Sequence, residues 1–178
     1  MELETSRLRL RPYRATDLPH IQRYAVRPAF YRYLPIPAQT PETVAAFVSE
    51  RLEQQQRPDD RSYNFVLEPK DLMVAVGAVR LGIQNDANRD ADLGFALDSD
   101  YQGRGYMTEA VRRVIRMGFD QLGLRRIWAT ADVRNERSWR LMERVGMTRE
   151  GHLREDKLLR GEWRDSYLYA ILATDPPR

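Results

Sequence analysis

A chain of 178 residues is long enough for one domain, spanning residues 1–178, that buries about two thirds of its unfolded surface, so it needs no covalent or metal staple. It has no cysteine and only two histidines, which removes disulfide frameworks, thiol nucleophiles and cysteine metal sites and argues against zinc; no metal is expected. Its 29 basic and 26 acidic side chains are mixed along the sequence and leave a net charge of +3, which lacks the clustered positive field that nucleic acid demands.

Taken in order, Leu8 and Leu10 alternate as a first strand, interleaved with Arg7, Arg9 and Arg11, which read as a solvated face or as an anion-binding row. Thr16 and Asp17 would cap a helix from about Leu18. Four prolines between Pro28 and Pro41 punctuate Phe30, Tyr31, Tyr33 and Leu34, a segment too broken for a regular element and too aromatic for a disordered linker, so it must pack. Thr40 is an N-cap ahead of Pro41, with Glu42 as the capping glutamate, and Val44, Phe47, Val48 and Leu52 mark the helix that follows. Residues 54–60 form a polar loop. Runs at 63–68 and 73–83 read as a hairpin turned at Pro69-Lys70-Asp71, and 85–90 as a polar loop leading to a central strand at 92–97. No signal peptide and no apolar run of membrane-spanning length appears, so a cytoplasmic protein without a membrane partner is expected.

The central strand breaks at Asp98-Ser99-Asp100 and gives way to Gln102-Gly103-Arg104-Gly105-Tyr106. Met107, Ala110, Val111, Val114, Met117 and Leu122 then have the spacing of an amphipathic helix closed by Gly123. Glycines let the backbone turn with no side chain in the way, and the first amides of a helix lack internal partners, so the turn is either a bare tight turn or an anion site. It is not a P-loop, because no Gly-Lys-Ser/Thr follows, and the dinucleotide pattern fails because its last position is Thr108. Downstream, 126–133 is a strand, Trp139, Leu141, Met142 and Val145 form a short helix stopped by Gly146, and 148–156 with 163–173 form a terminal hairpin around Arg160-Gly161-Glu162. Two strands joined through a helix run parallel, so the central strand and its successor should be parallel neighbours in a mixed α/β sheet with helices on both faces.

Gln102-Gly103-Arg104-Gly105-Tyr106-Met107, continuing Thr108-Glu109-Ala110, resembles the pyrophosphate loop of the GNAT N-acetyltransferase superfamily. Met107 stands where glycine or alanine is usual. Asn135-Glu136-Arg137-Ser138, Glu143-Arg144-Val145-Gly146-Met147, Glu150-Gly151 and the opening Thr5-Ser6-Arg7-Leu8-Arg9-Leu10-Arg11 resemble the ribosomal-protein N-terminal acetyltransferase branch, over roughly residues 5–172. The resemblance implies a single-domain, mostly antiparallel twisted sheet flanked by helices, with two central parallel strands that splay to admit acetyl-CoA. It implies cofactor contacts at Phe95, Ala96, Leu97, Gln102, Gly103, Arg104, Gly105, Tyr106, Met107, Thr108, Asn135 and Ser138, and acceptor contacts at Tyr31 and Tyr33.

Acyl transfer from a thioester to an amine needs a group that removes a proton, since the amine is mostly protonated at neutral pH. Asp92 and Glu155 are the candidate bases; the position matching the branch's base is Lys157. Ser138 would assist the departing thiolate, although both it and Asn135 also suit plain helix capping. The implied reaction moves an acetyl group to a primary amine and releases coenzyme A. The acceptor is the N-terminal α-amine of a ribosomal or other protein, or else a polyamine or aminoglycoside. A non-catalytic acyl-CoA-binding domain is the other alternative, and a homodimer remains open.

Overall fold

The computed structural model describes residues 1–57 and 61–176, so Pro58, Asp59 and Asp60 of the expected polar loop lie outside the described residues. Among the described residues, eight strands form one sheet: β1 (Leu3–Glu4), β2 (Leu8–Arg11), β3 (Ser62–Pro69), β4 (Gly77–Asn85), β5 (Asp90–Leu97), β6 (Arg126–Asp132), β7 (Thr148–Leu159) and β8 (Glu162–Leu172). Their order is β1-β2-β3-β4-β5-β6-β8-β7, and every neighbouring pair is antiparallel except β5 with β6. Among the described residues, five α-helices accompany them: α1 (Leu18–Ala25), α2 (Pro28–Tyr31), α3 (Pro41–Gln54), α4 (Tyr106–Asp120) and α5 (Glu136–Arg144).

The alternation of each strand sends apolar side chains to two separate cores. On one face Leu8, Leu10, Phe65, Leu67, Val79, Leu81, Leu93, Ile127 and Ala129 meet Met107, Ala110, Val111, Val114 and Met117 of α4 and Leu141 and Met142 of α5. On the other face Val66, Ala75 and partly buried Ala78 meet Ile21, Tyr24 and Ala25 of α1 and Val44 and Val48 of α3. Thus α4 and α5 cover one side. On the other, α1 and α3 sit over β3 and β4.

β5 and β6 pair only at Asp90↔Arg126, Ala91↔Ile127 and Asp92↔Trp128. Beyond these, β5 follows β4 to Leu97 and β6 follows β8 to Asp132, so each strand keeps its antiparallel partner and the parallel seam opens. The mixed, mostly antiparallel sheet with one splayed parallel pair is the architecture expected from the sequence.

Several local expectations change. The proline-broken segment holds a short helix, α2, because Pro28 sits in its first turn, where its missing N–H is not needed. Asp17 does not cap α1; its carboxylate takes two hydrogen bonds from Arg11 (2.8 and 2.7 Å) and one from the Arg14 amide (2.8 Å). At α3 the reciprocal cap is made by Thr43, whose Oγ1 accepts from the Thr40 amide (2.9 Å); Glu42, an acidic residue of the first turn, has its carboxyl lowered chiefly by a hydrogen bond from the Thr40 hydroxyl. β4 starts at Gly77, since a turn containing Met73 at φ 55° occupies the residues ahead of it.

The arginine row is neither solvated throughout nor one anion site. Arg11 is buried between Asp17 and Glu68, Arg9 lies near Glu4 and Glu68, and Arg7 reaches α4.

Candidate functional site

The seam between β5 and β6 opens toward the strands' C-terminal ends, where β5 runs into the glycine turn. Gly103 and Gly105 have φ of 78° and 79°, a left-handed conformation that side chains disfavour, and a Cβ on Gly105 would stand 3.3 Å from Arg7 Nη2. The first amide of this region to enter the α4 ladder is that of Glu109, which donates to the Gly105 carbonyl (3.1 Å). The amides ahead of it, at an exposed turn on the positive end of a 15-residue helix, suit an anion. Met107 does not obstruct this, because its side chain points into the core and is 5% exposed.

The turn is held from three directions that sequence reading did not find. From β2's approach, Arg7 Nε and Nη2 both reach Glu109 Oε2 at 2.7 Å and Nη1 donates to the Arg104 carbonyl (2.9 Å), while Ser6 Oγ and the Arg7 amide donate to Glu109 Oε1. Burial opposes charge on Glu109, but hydrogen bonds from Thr5, Arg7 and Ser6 outweigh it and hold the carboxyl below its ordinary range. From α1, Arg23 donates to the fully buried Asp98 carboxylate (2.7 Å), and Arg27, just ahead of α2, donates to Asp100 (3.0 Å). A hydrogen bond from Arg27 is the main cause of the lowered Asp100 carboxyl. From α5, Arg137 Nη1 donates to Gln102 Oε1 (2.6 Å). Only the arginine-rich opening could have hinted at this, and its partners lie far along the chain.

Of the expected cofactor positions, Phe95, Ala96 and Leu97 lie on the splayed half of β5, whose edge toward β6 is unpaired. Gln102, Gly103, Arg104, Gly105, Tyr106 and Thr108 form the turn and first helical residues, with Arg104 folded over the Tyr101 ring (5.0 Å). Asn135 and Ser138 open α5 beside the end of β6. The Asn135 side chain makes no capping hydrogen bond, and Ser138 Oγ has no protein partner among the described residues, so capping does not account for either. α5 is fixed to the sheet by Tyr169, whose hydroxyl donates to Glu143 (2.9 Å); burial, reinforced by Glu143, raises this phenol to about 12.

On the opposite face, Asp92 of β5 and Thr130 of β6 alternate with the residues that face α4 and α5. Asp92 belongs to the last β5–β6 pair, at the point where the seam opens, and its carboxylate is bound by Arg80 (2.5 Å) and by Gln84. Thr130, two residues past that pair, accepts from Lys157 Nζ (2.7 Å). Glu155 lies at a bulge in β7 with φ 49°, exposed, its amide donating to Asp165 (2.9 Å). That hydrogen bond, followed by one from His152 (2.7 Å), lowers the Asp165 carboxyl. Arg160 at the β7–β8 turn donates to the carbonyls of Arg32, Leu34 (3.5 Å) and Ile36 (3.1 Å) and lies 5.7 Å from the Tyr31 ring. Tyr31 and Tyr33 therefore belong to the segment tied to the β7–β8 turn, and Asp92 and Glu155 lie on different strands, β5 and β7.

The model of the acetyltransferase (GNAT) domain matches residues 7–148. The chain is 28% identical over 172 residues to the uncharacterized N-acetyltransferase YnaD of Bacillus subtilis, covering 97% of each. It is 35% identical over 83 residues to the [ribosomal protein uS5]-alanine N-acetyltransferase of Escherichia coli, covering 47% of this chain and 43% of that one. Mycobacterium smegmatis RimJ, solved in complex with CoA-disulfide, superposes with a TM-score of 0.85 at 27% identity, covering 96% of this chain and 84% of that one. The splayed seam, the glycine turn and these similarities agree: the chain belongs to the GNAT acetyltransferase family and is an N-acetyltransferase whose acyl donor is acetyl-CoA.

Proposed function

We propose that this enzyme acetylates the N-terminal α-amine of a protein, with ribosomal proteins the first class to test and the cytoplasm its place of action. The observation that supports this reading best is the similarity to the ribosomal uS5-alanine N-acetyltransferase, 35% identical over 83 residues. Segment 31–36, tied to the β7–β8 turn by Arg160, and Asp92 at the last β5–β6 pair supply the residues proposed to meet that acceptor.

Bound acetyl-CoA supplies an activated acyl carbon and a thiolate leaving group. The amides of residues 103–108 would hold its pyrophosphate, and the unpaired edge of Phe95, Ala96 and Leu97, with the Asn135 amide, would line the pantetheine arm. The acceptor nitrogen would attack from the face that carries Asp92, forming the N–C bond as the C–S bond breaks. Asp92, at the head of the seam, takes the amine proton directly or through water, and Glu155 is the second carboxylate proposed for that task. Ser138 gives a proton to the departing sulfur.

Mass spectrometry of candidate proteins, peptides and small amines incubated with enzyme and acetyl-CoA tests this. A gain of one acetyl group on a protein's N-terminal nitrogen is the expected result. Acetylation confined to polyamines or aminoglycosides, or cofactor binding without turnover on any acceptor, refutes it.

A further inference from the structure

No residue from Val26 to Thr43 is buried, and α2 within that stretch leans on the core through Phe30, whose ring lies 5.0 Å from that of Tyr24. A segment with so little apolar anchorage is ordered by its polar ties, and residues 27–36 have these at two places. One is the turn after β5. Arg23 donates to Asp98, and Arg27 donates to Asp100 (3.0 Å) and stands 3.8 Å from Asp98, two guanidiniums over two carboxylates. The neighbouring Arg104 donates to the Asp100 carbonyl (3.1 Å) and stacks on Tyr101. The other place is the β7–β8 turn, where Arg160 donates to the carbonyls of Arg32, Leu34 and Ile36.

The sheet order puts these ties on opposite sides of the β5–β6 seam. Asp98 and Asp100 follow the end of β5, whereas the β7–β8 turn leads into β8, the neighbour of β6 on its far side, at the end where Asp132 pairs with Ser166. Residues 27–36 therefore run as a strap from one side of the seam's open end to the other. The two acids at the first tie differ in freedom. Asp98 is fully buried, accepts from the Asp100 amide (3.1 Å), and its own amide donates to the Val76 carbonyl (2.8 Å), so the sheet fixes it. The Asp100 carboxylate is half exposed and is met by Arg27, Arg23 (3.9 Å) and Ser99 (3.5 Å). Three residues later comes Gly103, so a phosphate that orders residues 103–108 also orders Asp100, and with it the guanidinium of Arg27.

We propose that Arg27 and Arg160 are positioning residues that hold residues 27–36 as a strap across the open end of the seam, and that acetyl-CoA, by ordering Asp100, tightens the Arg27 tie and sets the strap for the acceptor. The acceptor half rests on the reading above in which Tyr31 and Tyr33 meet the acceptor. Donor and acceptor then bind with positive coupling, because the ordering that the first ligand imposes on the strap is not required again of the second.

Hydrogen exchange of peptides covering residues 28–36, on the full-length protein with and without acetyl-CoA at a concentration that calorimetry shows to be saturating for each variant, tests the strap without any acceptor. Wild-type exchange should slow at least about fivefold when acetyl-CoA is added. Arg27→Met should lose that slowing, and Arg27→Lys, which keeps the charge opposite Asp100, should retain it. Asp100→Asn should match Arg27→Met, with no further loss in the double variant. Arg160→Met should speed exchange over residues 32–36 at least about fivefold in the free protein. Wild-type exchange that ignores acetyl-CoA, slowing that survives in Arg27→Met, or Arg160→Met exchange equal to wild type overturns the proposal. With an acetylated protein acceptor in hand, Arg27→Met and Arg160→Met should each raise the acceptor KM about five- to tenfold and leave kcat within about twofold; an unchanged acceptor KM in both overturns the positioning role. Failure to acetylate any protein would sink the protein-acceptor reading alone, and the exchange results would still decide the strap.

Discussion

Arg7→Met removes the guanidinium that ties the glycine turn to α4 while keeping most of the aliphatic stem. Two bonds to Glu109 Oε2 at 2.7 Å and one to the Arg104 carbonyl at 2.9 Å are lost, together with the stacking 5.0 Å over Tyr106. Hydrogen bonds to charged groups contribute about 1.5–3 kcal/mol each when shielded, but Arg7 is 49% exposed, so solvent reduces the sum to about 1–2 kcal/mol. Glu109 keeps the Ser6 hydroxyl and the residue 7 amide, so the helix should remain intact. The turn then samples conformations in which its amides diverge, and the donor must reorder it on binding. The dissociation constant for acetyl-CoA should rise roughly five- to thirtyfold, the equivalent of about 1–2 kcal/mol. Unliganded Tm should fall by about 2–8 °C at this chain length. Isothermal calorimetry and a thermal melt on one preparation measure both. A folded variant that binds acetyl-CoA within twofold of wild type would refute the view that Arg7 preorganises the turn.

Gly105→Ala should lose roughly 1–2 kcal/mol of stability from its left-handed backbone alone, while Gly105→Glu should also weaken acetyl-CoA at least about a hundredfold by setting a carboxylate against the pyrophosphate; equal affinities by calorimetry would contradict this. Ser138→Ala, whose hydroxyl has no capping partner, should leave Tm within about 2 °C of wild type and lower kcat about ten- to a hundredfold at constant acetyl-CoA KM. A lower Tm with unchanged kcat would make it structural only. The Glu109 carboxyl is held below its ordinary value in the folded protein, so its stabilising contribution is complete above about pH 4.3 and disappears as pH falls through the lowered value. Melts of wild type and Glu109→Gln from pH 7 to 3 should converge at the acid end; curves that stay parallel would rule the linkage out.

Much of the candidate site's geometry was legible because its signals are local. Gly103 and Gly105 stand two residues apart, directly before a helical periodicity that starts at Met107, and Asn135 and Ser138 open the next helix. What the sequence could not display is what holds these pieces. Arg7 and Glu109 are 102 residues apart, Arg23 and Asp98 are 75 apart, and a surface-like row of arginines gives no sign of which one turns inward. Asp17 shows the same limit: its place before a helix suits a cap, yet a buried guanidinium from β2 holds its carboxylate in a shielded pair.

By itself the sequence determined the order of most of the elements, the parallel relation of β5 and β6, the glycine turn ahead of α4 and the apolar faces of α4 and α5. These follow from side-chain periodicity, helix termini and the handedness of crossover connections, all of which operate over a few residues or one supersecondary unit. Only the tertiary structure decided that the β5–β6 seam stops pairing after Asp92, because that depends on each strand following a different antiparallel neighbour. It likewise decided that Arg160 reaches segment 31–36 and that Lys157 donates to Thr130. Charge pairing across a sheet is a property of register and twist, and neither is written in the local pattern of any one strand.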